Sequence, residues 1–251
     1  MRKIKMSSCL HDKNNKNGEK FISFAIDGPS GAGKSSLAKG LANKFGFWYL
    51  DTGALYRALG VYLYEAGIGS GEKEKIEARI DGESENIKIE AVYKDGEQKT
   101  FLNGTDVSVK IREHHMSKFA SDISRIPKVR KFLRPAQQDA AEKDNIVMDG
   151  RDIGTVILPN ADVKIFLTAT PEERAKRRFD ELKAKGQDVN YGDILRDITE
   201  RDEQDSQRGE APLIPAKDAI PLDNSDCSRP EESLERAVKI IKEKLPDVCI
   251  W

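Results

Sequence analysis

Short apolar runs alternate along the chain with longer segments whose apolar residues recur at helical spacing. This alternation predicts strands and helices that follow one another, as in an α/β fold with a parallel sheet. The apolar runs that predict strands lie at 21–26, 46–51, 145–149, 162–167 and 219–223. The third and fourth runs are rich in β-branched residues, which is typical of strands buried on both faces. The last run is short and predicts an edge strand.

Helical spacing predicts helices around 37–42 and at 52–66, 72–80, 108–124, 128–143, from 171 toward 185, at 193–205 and at 231–244. Pro135 lies inside one of them and should bend or split it. Thr170 and Glu173 form a capping box where another begins. The helices on either side of Gly186 carry little apolar surface, which suits a lid better than a core element.

A different pattern occupies the middle of the chain. Residues 86–93 alternate between apolar and polar, Asp95-Gly96 predicts a hairpin turn, and 98–102 predicts the returning strand. This is antiparallel structure inserted between the strand and helix repeats. The expected parts are therefore a core of 21–67 and 125–251, an inserted subdomain at 68–124 and a helical lid at about 171–208.

Charge excludes some classes of partner. Among 251 residues, 42 lysines and arginines nearly balance 43 aspartates and glutamates, so no net basic field would attract nucleic acid or an anionic membrane. No apolar segment reaches the roughly 18 residues of a transmembrane helix, and the N-terminus lacks the apolar region of a signal peptide. We expect a monomeric cytoplasmic protein that binds neither nucleic acid nor membrane, with a flexible polar tail at 1–20.

Residues 27–36, called the phosphate loop below, match the pattern G-x-x-x-x-G-K-[ST] with Gly28, Gly33, Lys34 and Ser35. An apolar run precedes the loop and a helical segment follows it, so backbone N–H groups and a helix N-terminus should converge on a phosphate group. Lys34 would neutralise the β- and γ-phosphates, and the Ser35 hydroxyl would ligate Mg²⁺. The expected nucleotide-binding residues are Gly28, Pro29, Ser30, Gly31, Ala32, Gly33, Lys34, Ser35 and Ser36.

Three further groups of charged residues could complete a phosphoryl-transfer site, and each also has a purely structural interpretation. Asp51 to Arg57 joins a strand end to a helix, where the arginine could simply be solvated. Asp149 to Asp152 follows a buried strand, at the sheet edge where ligands bind, but could be a loop that satisfies its own hydrogen bonds. The arginines at 174–208 are interleaved with acids, as in an exposed, salt-bridged helix pair.

Motif by motif, the chain resembles the bacterial-type cytidylate kinase family from about Ile22 to Leu245. The segments that carry the resemblance are Asp27–Lys34, Tyr49–Arg57, Met148–Thr155, Val163–Leu167 and Glu200–Leu213. Together they are far more selective than the phosphate loop alone. The resemblance implies a three-layer P-loop fold, an acceptor-binding insert enlarged by a small antiparallel sheet, and a mobile lid.

The resemblance also implies an activity, which is transfer of the γ-phosphoryl group of ATP to CMP or dCMP with Mg²⁺. It assigns cytosine recognition to Ser121, Arg130 and Asp152, whose donors and acceptors suit the cytosine edge and would mispair with uracil. The other implied roles are Arg57 and Arg151 on the acceptor phosphate, Arg201 and Asp205 on the ribose, Arg208 near the phosphates, Arg177 and the adjacent Arg178 over the triphosphate, and Asp51, Thr52 and Asp149 in the acceptor site.

Some points stay open at this stage. Ser35-Ser36 stands where many nucleoside monophosphate kinases have Gly-Thr, so either serine could ligate Mg²⁺. Thr52 stands where related sequences often have serine, and it keeps the hydroxyl. Asp149 could support the metal or the acceptor.

The alternative functions are those of another P-loop kinase, acting on UMP, AMP or shikimate, of a GTP switch protein, and of a nucleotide-binding module without turnover. An N-K-x-D guanine motif is missing, whereas acceptor arginines are present. Adjacent His114 and His115 would point apart on a helix and predict no metal site.

Overall fold

A computed structural model of the chain describes residues 21–94 and 97–249. The predicted tail at 1–20 and the predicted turn at Asp95-Gly96 lie outside these residues. Within the described part of the chain, no helix is both long and apolar enough to cross a membrane.

The described elements follow the predicted order. The strands are β1 (Ser23–Asp27), β2 (Trp48–Asp51), β3 (Ile89–Lys94), β4 (Glu97–Leu102), β5 (Thr105–Asp106), β6 (Ile146–Gly150), β7 (Val163–Thr168) and β8 (Ile220–Asp223). The α-helices are α1 (Lys34–Phe45), α2 (Thr52–Glu65), α3 (Lys73–Glu83), α4 (His114–Ile123), α5 (Pro127–Ala141), α6 (Pro171–Ala184), α7 (Tyr191–Ser206) and α8 (Pro230–Lys244). Short 3₁₀ turns lie at Ser84–Asn86 and Lys110–Arg112, and a single π turn at Ile153–Ile157.

The main sheet has the strand order β2-β6-β1-β7-β8. Strand β1 pairs in parallel with both β6 and β7, and β7 pairs in parallel with β8. The prediction of a parallel sheet with β6 and β7 in its interior is therefore confirmed, as is the edge position of β8. Parallel order brings the carboxyl ends of these strands to one edge, where the phosphate loop follows β1.

One compact unit comprises the described residues of 21–48 and 144–249. Its sheet core contains Phe24, Ala25 and Ile26 of β1, none of which is exposed to solvent. Phe24 packs edge-on against Phe45 of α1, with ring centroids 5.4 Å apart. This packing fixes the end of α1 against the strand that leads into the phosphate loop.

The second compact unit comprises the described residues of 49–94 and 97–143. It has its own core, in which α2, α4 and α5 contribute buried residues such as Leu59, Ile123 and Leu133. Its three strands are antiparallel in the order β3-β4-β5, which confirms the predicted small antiparallel sheet. The predicted insert at 68–124 lies within this unit, and its role as an acceptor-binding subdomain stays a prediction.

One prediction about helix continuity was wrong, and one of the two outcomes predicted for Pro135 is excluded. The helix predicted at 108–124 is divided, because Glu113 is extended (φ −60°, ψ 143°) and separates the 3₁₀ turn from α4. Helix α5 runs unbroken past Pro135, so the proline does not split it, and the predicted bend stays a prediction. The buried residues Val129, Leu133 and Gln137 of α5 show that packing of one helical face outweighs the local cost of the proline.

Helices α6 and α7 are polar, as predicted, but they share a small apolar core of Ala175, Leu182, Ile194 and Ile198. The capping box at the start of α6 is present in part, since Thr170 Oγ1 accepts the Glu173 N–H at 3.3 Å. The two helices therefore pack as one unit. Whether they move as a lid stays a prediction.

The start of the phosphate loop depends on the absence of a side chain at Gly28. Its φ is +150°, and a Cβ there would lie 1.9 Å from the Leu167 carbonyl oxygen. We expect Gly28→Ala to lower the free energy of unfolding by about 2–5 kcal/mol, because backbone strain and backbone displacement add. Denaturant unfolding measures this change.

Gly82→Ala is the matched control, because Gly82 is helical in α3 and a Cβ there would meet nothing within 4 Å. Alanine should stabilise that helix by about 0.5–1 kcal/mol. A Gly28→Ala protein as stable as the wild type would contradict the close approach of β1 and β7.

Candidate active site

The phosphate loop leaves β1 and enters α1 as predicted. Gly28, Gly31 and Gly33 all have positive φ, and Gly33 precedes the first helical residue, Lys34. These conformations curl the backbone ahead of the helix N-terminus, and only glycine adopts them without strain. The strand, loop and helix that an anion-binding loop requires are all in place.

Lys34 lies inside the loop with a side chain that is almost completely buried. Its Nζ donates a hydrogen bond to the Pro29 carbonyl oxygen at 2.6 Å. Burial lowers the pKa of Lys34 well below its ordinary value, and the positive charge of Arg151 lowers it further, against the opposing charge of Asp149. An anion bound in the loop would favour the charged ammonium, so phosphate binding and protonation of Lys34 should reinforce each other.

Ser35 and Asp149 form the candidate site for a divalent cation. The Ser35 hydroxyl donates to Asp149 Oδ2 at 2.9 Å, and Asp149 is buried near the end of β6. Among the residues that the structure describes, no group of three or more His, Cys, Asp or Glu could hold a metal. One hydroxyl and one carboxylate nevertheless fit Mg²⁺, which keeps several waters and takes phosphate oxygens as further ligands.

Asp205 lies between two arginines, and this trio of Arg151, Asp205 and Arg208 is called the arginine cluster below. Arg151 Nε donates to Asp205 Oδ2 at 2.8 Å, and Arg208 donates to the other carboxylate oxygen. Asp205 has no solvent exposure. Burial favours its neutral form, but the charges of Arg151, Arg208 and Arg201 outweigh burial and lower the pKa of Asp205.

Arg151 of the arginine cluster and the nearby Arg201 act electrostatically on Lys34 of the phosphate loop. Both Arg151 and Arg201 depress the pKa of Lys34, so three positive groups predicted for the site share one region of this unit. Asp205 uses one oxygen for each arginine of the cluster, which makes it a support for Arg151 and Arg208 in this structure. Its predicted contact with ribose stays a prediction.

Arg174 has a structural role that the sequence did not reveal. It is buried at the start of α6 and donates to the carbonyl oxygens of Ala169 and Ser30, both at 2.9 Å. Its Nη2 also contacts Asp202 of α7 at 2.5 Å. One guanidinium therefore connects the phosphate loop with α6 and α7. In the sequence this arginine looks like its exposed neighbours in a run of mixed charge.

Arg177 is half-buried and contacts Asn224. Its Nη1 donates to Asn224 Oδ1 at 3.0 Å and its Nη2 to the Asn224 carbonyl oxygen at 2.6 Å. The Asn224 amide in turn donates to the Ala32 carbonyl oxygen of the phosphate loop at 3.0 Å. Arg178 is more exposed and pairs with Glu181. Asn224 is thus a second support of the loop that sequence reasoning missed.

Asp27, the last residue of β1, is also buried beneath the loop. Its two carboxylate oxygens accept the N–H groups of Ile153 and Gly154 at 2.8 and 2.7 Å. Burial raises the pKa of Asp27 to about 6, although these two hydrogen bonds oppose the shift. The adjacent Asp152, predicted to recognise the base, is buried as well.

In the second unit, Asp51 and Arg57 form an ion pair of 2.6 Å. Asp51 also caps α2, since its Oδ1 accepts the Ala54 N–H at 3.1 Å, and Thr52 beside it is buried. Gln98 of β4 accepts the Asp51 N–H at 2.7 Å. Gln98 was missed because an isolated glutamine in a strand gives no sequence signal for this contact.

The base-recognition residues predicted in the second unit, Ser121 and Arg130, are connected through Ser124. Arg130 is buried, donates to the Ser124 carbonyl oxygen at 3.2 Å and lies 5.7 Å from the ring centroid of Tyr56. The Ser124 hydroxyl donates to the Ser121 carbonyl oxygen at 2.7 Å. The Arg130 guanidinium is therefore held by a hydrogen bond to Ser124 and by packing against the face of the Tyr56 ring.

The parallel sheet, with a phosphate loop between β1 and α1, is the architecture of a P-loop protein. The profile of the family described as cytidylate kinase matches residues 24–243. The chain belongs to the cytidylate kinase family.

Curated relatives support the same assignment, and each carries the name cytidylate kinase. The relative from Caldicellulosiruptor saccharolyticus is 49% identical over 221 residues, which are 88% of this chain and 96% of the relative. The relative from Caldicellulosiruptor bescii is 48% identical, with 90% of this chain and 100% of the relative covered. The relative from Thermotoga maritima is 43% identical, with 88% and 97% covered. These findings confirm the resemblance inferred from the motifs.

Removing the charge of Asp205 should destabilise the free protein. In Asp205→Asn, two arginines lose a fully buried counter-charge, and we expect the free energy of unfolding to fall by about 3–5 kcal/mol at pH 7. Because the folded state lowers the pKa of Asp205 below 3.8, its ionised form stabilises the fold above that pH. The difference between wild type and variant should therefore shrink as the pH falls below about 4.

Urea unfolding at several pH values measures this difference. Glu181→Gln serves as the control, because Glu181 is exposed and pairs with Arg178 and Lys185 on the surface of α6. Its loss should cost at most about 0.5–1 kcal/mol. Equal destabilisation by the two variants would show that burial of Asp205 has no special energetic role.

Proposed function

We propose that the protein transfers the γ-phosphoryl group of ATP to CMP or dCMP, giving ADP and CDP or dCDP. The observation that carries this proposal is the arginine cluster, whose two guanidinium groups are held by the buried Asp205 in the same compact unit as the buried Lys34 of the phosphate loop. A loop for one phosphate chain beside arginines for another anion is what phosphoryl transfer between two nucleotides requires. Membership of the cytidylate kinase family supports the choice of acceptor.

On the donor side, the backbone of residues 28–36 would hold the phosphates of ATP, with Lys34 on the β- and γ-groups. Ser35, supported by Asp149, would hold Mg²⁺. The ion would neutralise charge on the phosphate oxygens. Arg177 and Arg178 on α6 would approach the triphosphate if the helices close, which would require Arg177 to leave Asn224.

On the acceptor side, Arg57 and Arg151 would clamp the phosphate of CMP, because the guanidinium fork matches phosphate geometry. The attacking phosphate oxygen is already ionised, so no general base is needed. The main obstacle is repulsion between two anions, which Lys34 and the arginines would relieve while alignment lowers the remaining barrier. Arg208 would contribute charge near the phosphates, and Arg201 and Asp205 would hold the ribose.

Cytosine would be recognised by polarity. It offers an amino donor and two acceptors, N3 and O2, and the group of Ser121, Arg130 and Asp152 supplies complementary donors and acceptors. Uracil reverses two of these positions, and each buried mispaired group costs about 1–3 kcal/mol. The contacts of Arg130 with Ser124 and Tyr56 support this role, because they limit its rotation. Asp51 and Thr52, at the start of α2, would complete the acceptor site.

We also propose that the protein is monomeric and cytoplasmic.

A substrate panel tests the proposed reaction. With ATP and Mg²⁺, we expect ADP release to be fastest with CMP or dCMP and slower with UMP, AMP, GMP or shikimate. For UMP the difference should be at least about 10-fold, because two groups of uracil would be mispaired. Coupled spectrophotometric rates measure it, with ATP alone as the blank. Faster turnover of UMP or AMP than of CMP would refute the choice of acceptor.

Arg151→Ala tests the assignment of the acceptor side. Losing the guanidinium should reduce kcat/KM for CMP by about 100-fold or more, while the dissociation constant of ATP changes by less than about threefold. Steady-state kinetics and calorimetric ATP titration measure the two effects. Arg196→Ala is the matched control, because Arg196 is exposed on α7 and forms an ion pair with Asp193 one turn away on the same helix. Equal loss of ATP binding would place Arg151 on the donor.

A further inference from the structure

The side chain of Asp27 connects the phosphate loop, predicted to bind the donor, with the segment after β6 that carries Arg151 and Asp152, predicted to bind the acceptor. It directly precedes Gly28 of the phosphate loop, and in the sheet it lies opposite Gly150 of β6. Its Oδ1 accepts the Ile153 N–H and its Oδ2 the Gly154 N–H. The carboxylate of a β1 residue therefore holds the backbone that immediately follows Arg151 and Asp152.

The backbone that Asp27 holds is tightly shaped. Residues 153–157 form a single π turn, in which the Asp152 carbonyl oxygen accepts the N–H groups of Val156 and Ile157 at 2.9 and 3.2 Å. The Asp152 peptide is thus fixed by the turn on its carbonyl side, while Asp27 fixes the amides of the next two residues. A change at Asp27 should therefore reach Asp152 and Arg151 through two peptide units.

Gly154 permits the contact. A Cβ on Gly154 would lie 3.3 Å from Asp27 Oδ2 and 3.1 Å from Cδ of Lys164, so a side chain would displace one or both. The close approach of this turn to Asp27 is a packing constraint as well as a hydrogen-bonding one.

Burial of the Asp27 carboxylate costs desolvation free energy, so a gain in stability does not explain why a carboxylate occupies this position. Asp27 is almost fully buried, and the negative charge of Asp152 opposes its ionisation while Lys34 favours it. A well-packed apolar residue would be cheaper to bury but would leave two N–H groups unpaired. The carboxylate instead fixes the orientation of the backbone, because each of its oxygens accepts one N–H group.

We propose that Asp27 is a positioning residue that aligns Arg151 and Asp152 with the phosphate loop. This inference rests on the proposed function, in which those two residues serve the acceptor and the loop serves the donor. Asp27 itself need not touch either nucleotide. Its effect should fall on the step that requires both nucleotides to be in register.

Asp27→Asn is the first test, because it keeps the shape and replaces one acceptor oxygen by a donor that faces a backbone N–H. With CMP as acceptor, kcat should fall by about 10- to 100-fold, while the dissociation constant of ATP changes by less than about threefold. A kcat within about twofold of wild type would overturn the inference. So would a matching loss of ATP affinity, which would make Asp27 a support of the loop alone.

Asp162→Asn is the matched control. Asp162 Oδ2 accepts the Ser23 N–H at 2.8 Å, so it is also a carboxylate that holds a backbone amide, but at the opposite end of β1. Its loss should lower stability without changing kcat. If Asp162→Asn slows the reaction as much as Asp27→Asn, the effect is one of general stability and the inference fails.

Gly154→Ala is the second variant, for the case in which Asp27→Asn does not fold. It leaves β1 and the phosphate loop unchanged and disturbs the same contact from the other partner. We expect the same pattern, with a fall in kcat of about 10-fold or more and retained ATP affinity. Wild-type kcat with Gly154→Ala would contradict the role of the turn.

Hydrogen exchange separates this inference from the proposed function. In Asp27→Asn, or in Gly154→Ala if the former does not fold, the amides of 153 and 154 should exchange at least about 10-fold faster, whereas Asp162→Asn should leave them unchanged. This measurement needs no substrate. If wild type does not phosphorylate CMP, the proposed function fails on its own, and unchanged exchange at both amides would overturn the positioning role regardless of activity.

Discussion

Burial of charge is the constraint on which the phosphate-loop region depends. Lys34, Asp27 and Asp205 are all withdrawn from water, where an isolated charge would be strongly disfavoured. Each is compensated differently. Lys34 contacts a carbonyl oxygen, Asp27 accepts two backbone amides, and Asp205 accepts from two arginines. Because a hydrogen bond to an ion is directional, this compensation fixes geometry as well as energy.

The compensating groups come from segments far apart in the sequence, which is how one loop becomes part of a larger site. Arg174 connects the loop to α6 and α7, and Asn224 connects it to the end of β8. Both contacts use loop carbonyl oxygens, of Ser30 and Ala32. Backbone N–H groups that point toward a phosphate leave their carbonyl oxygens pointing outward, and buried side-chain donors satisfy those oxygens.

Local patterns were sufficient for the sheet and for the loop, but not for these connections. The apolar runs at 145–149 and 162–167 identified β6 and β7, because a strand that is buried on both faces is a nearly continuous run of apolar, β-branched residues. Arg174 could not be told from its exposed neighbours, since burial of an arginine depends on partners distant in the chain. The extended residue Glu113, which ends the helical segment before α4, was missed because its composition gives no break signal. The choice between a bent and a split α5 could not be made from sequence, because it depends on how the buried face of the helix packs.

The arginine cluster also bears on the entropy of ligand binding. An arginine side chain that rotates freely in solution loses about 2 kcal/mol of conformational entropy when it is immobilised. Arg151 already donates to Asp205 and to the Gly150 carbonyl oxygen in the free protein. Much of that loss is therefore incurred when the chain folds rather than when a phosphate arrives. Asp205 thus lowers the entropic cost of binding a phosphate group at Arg151.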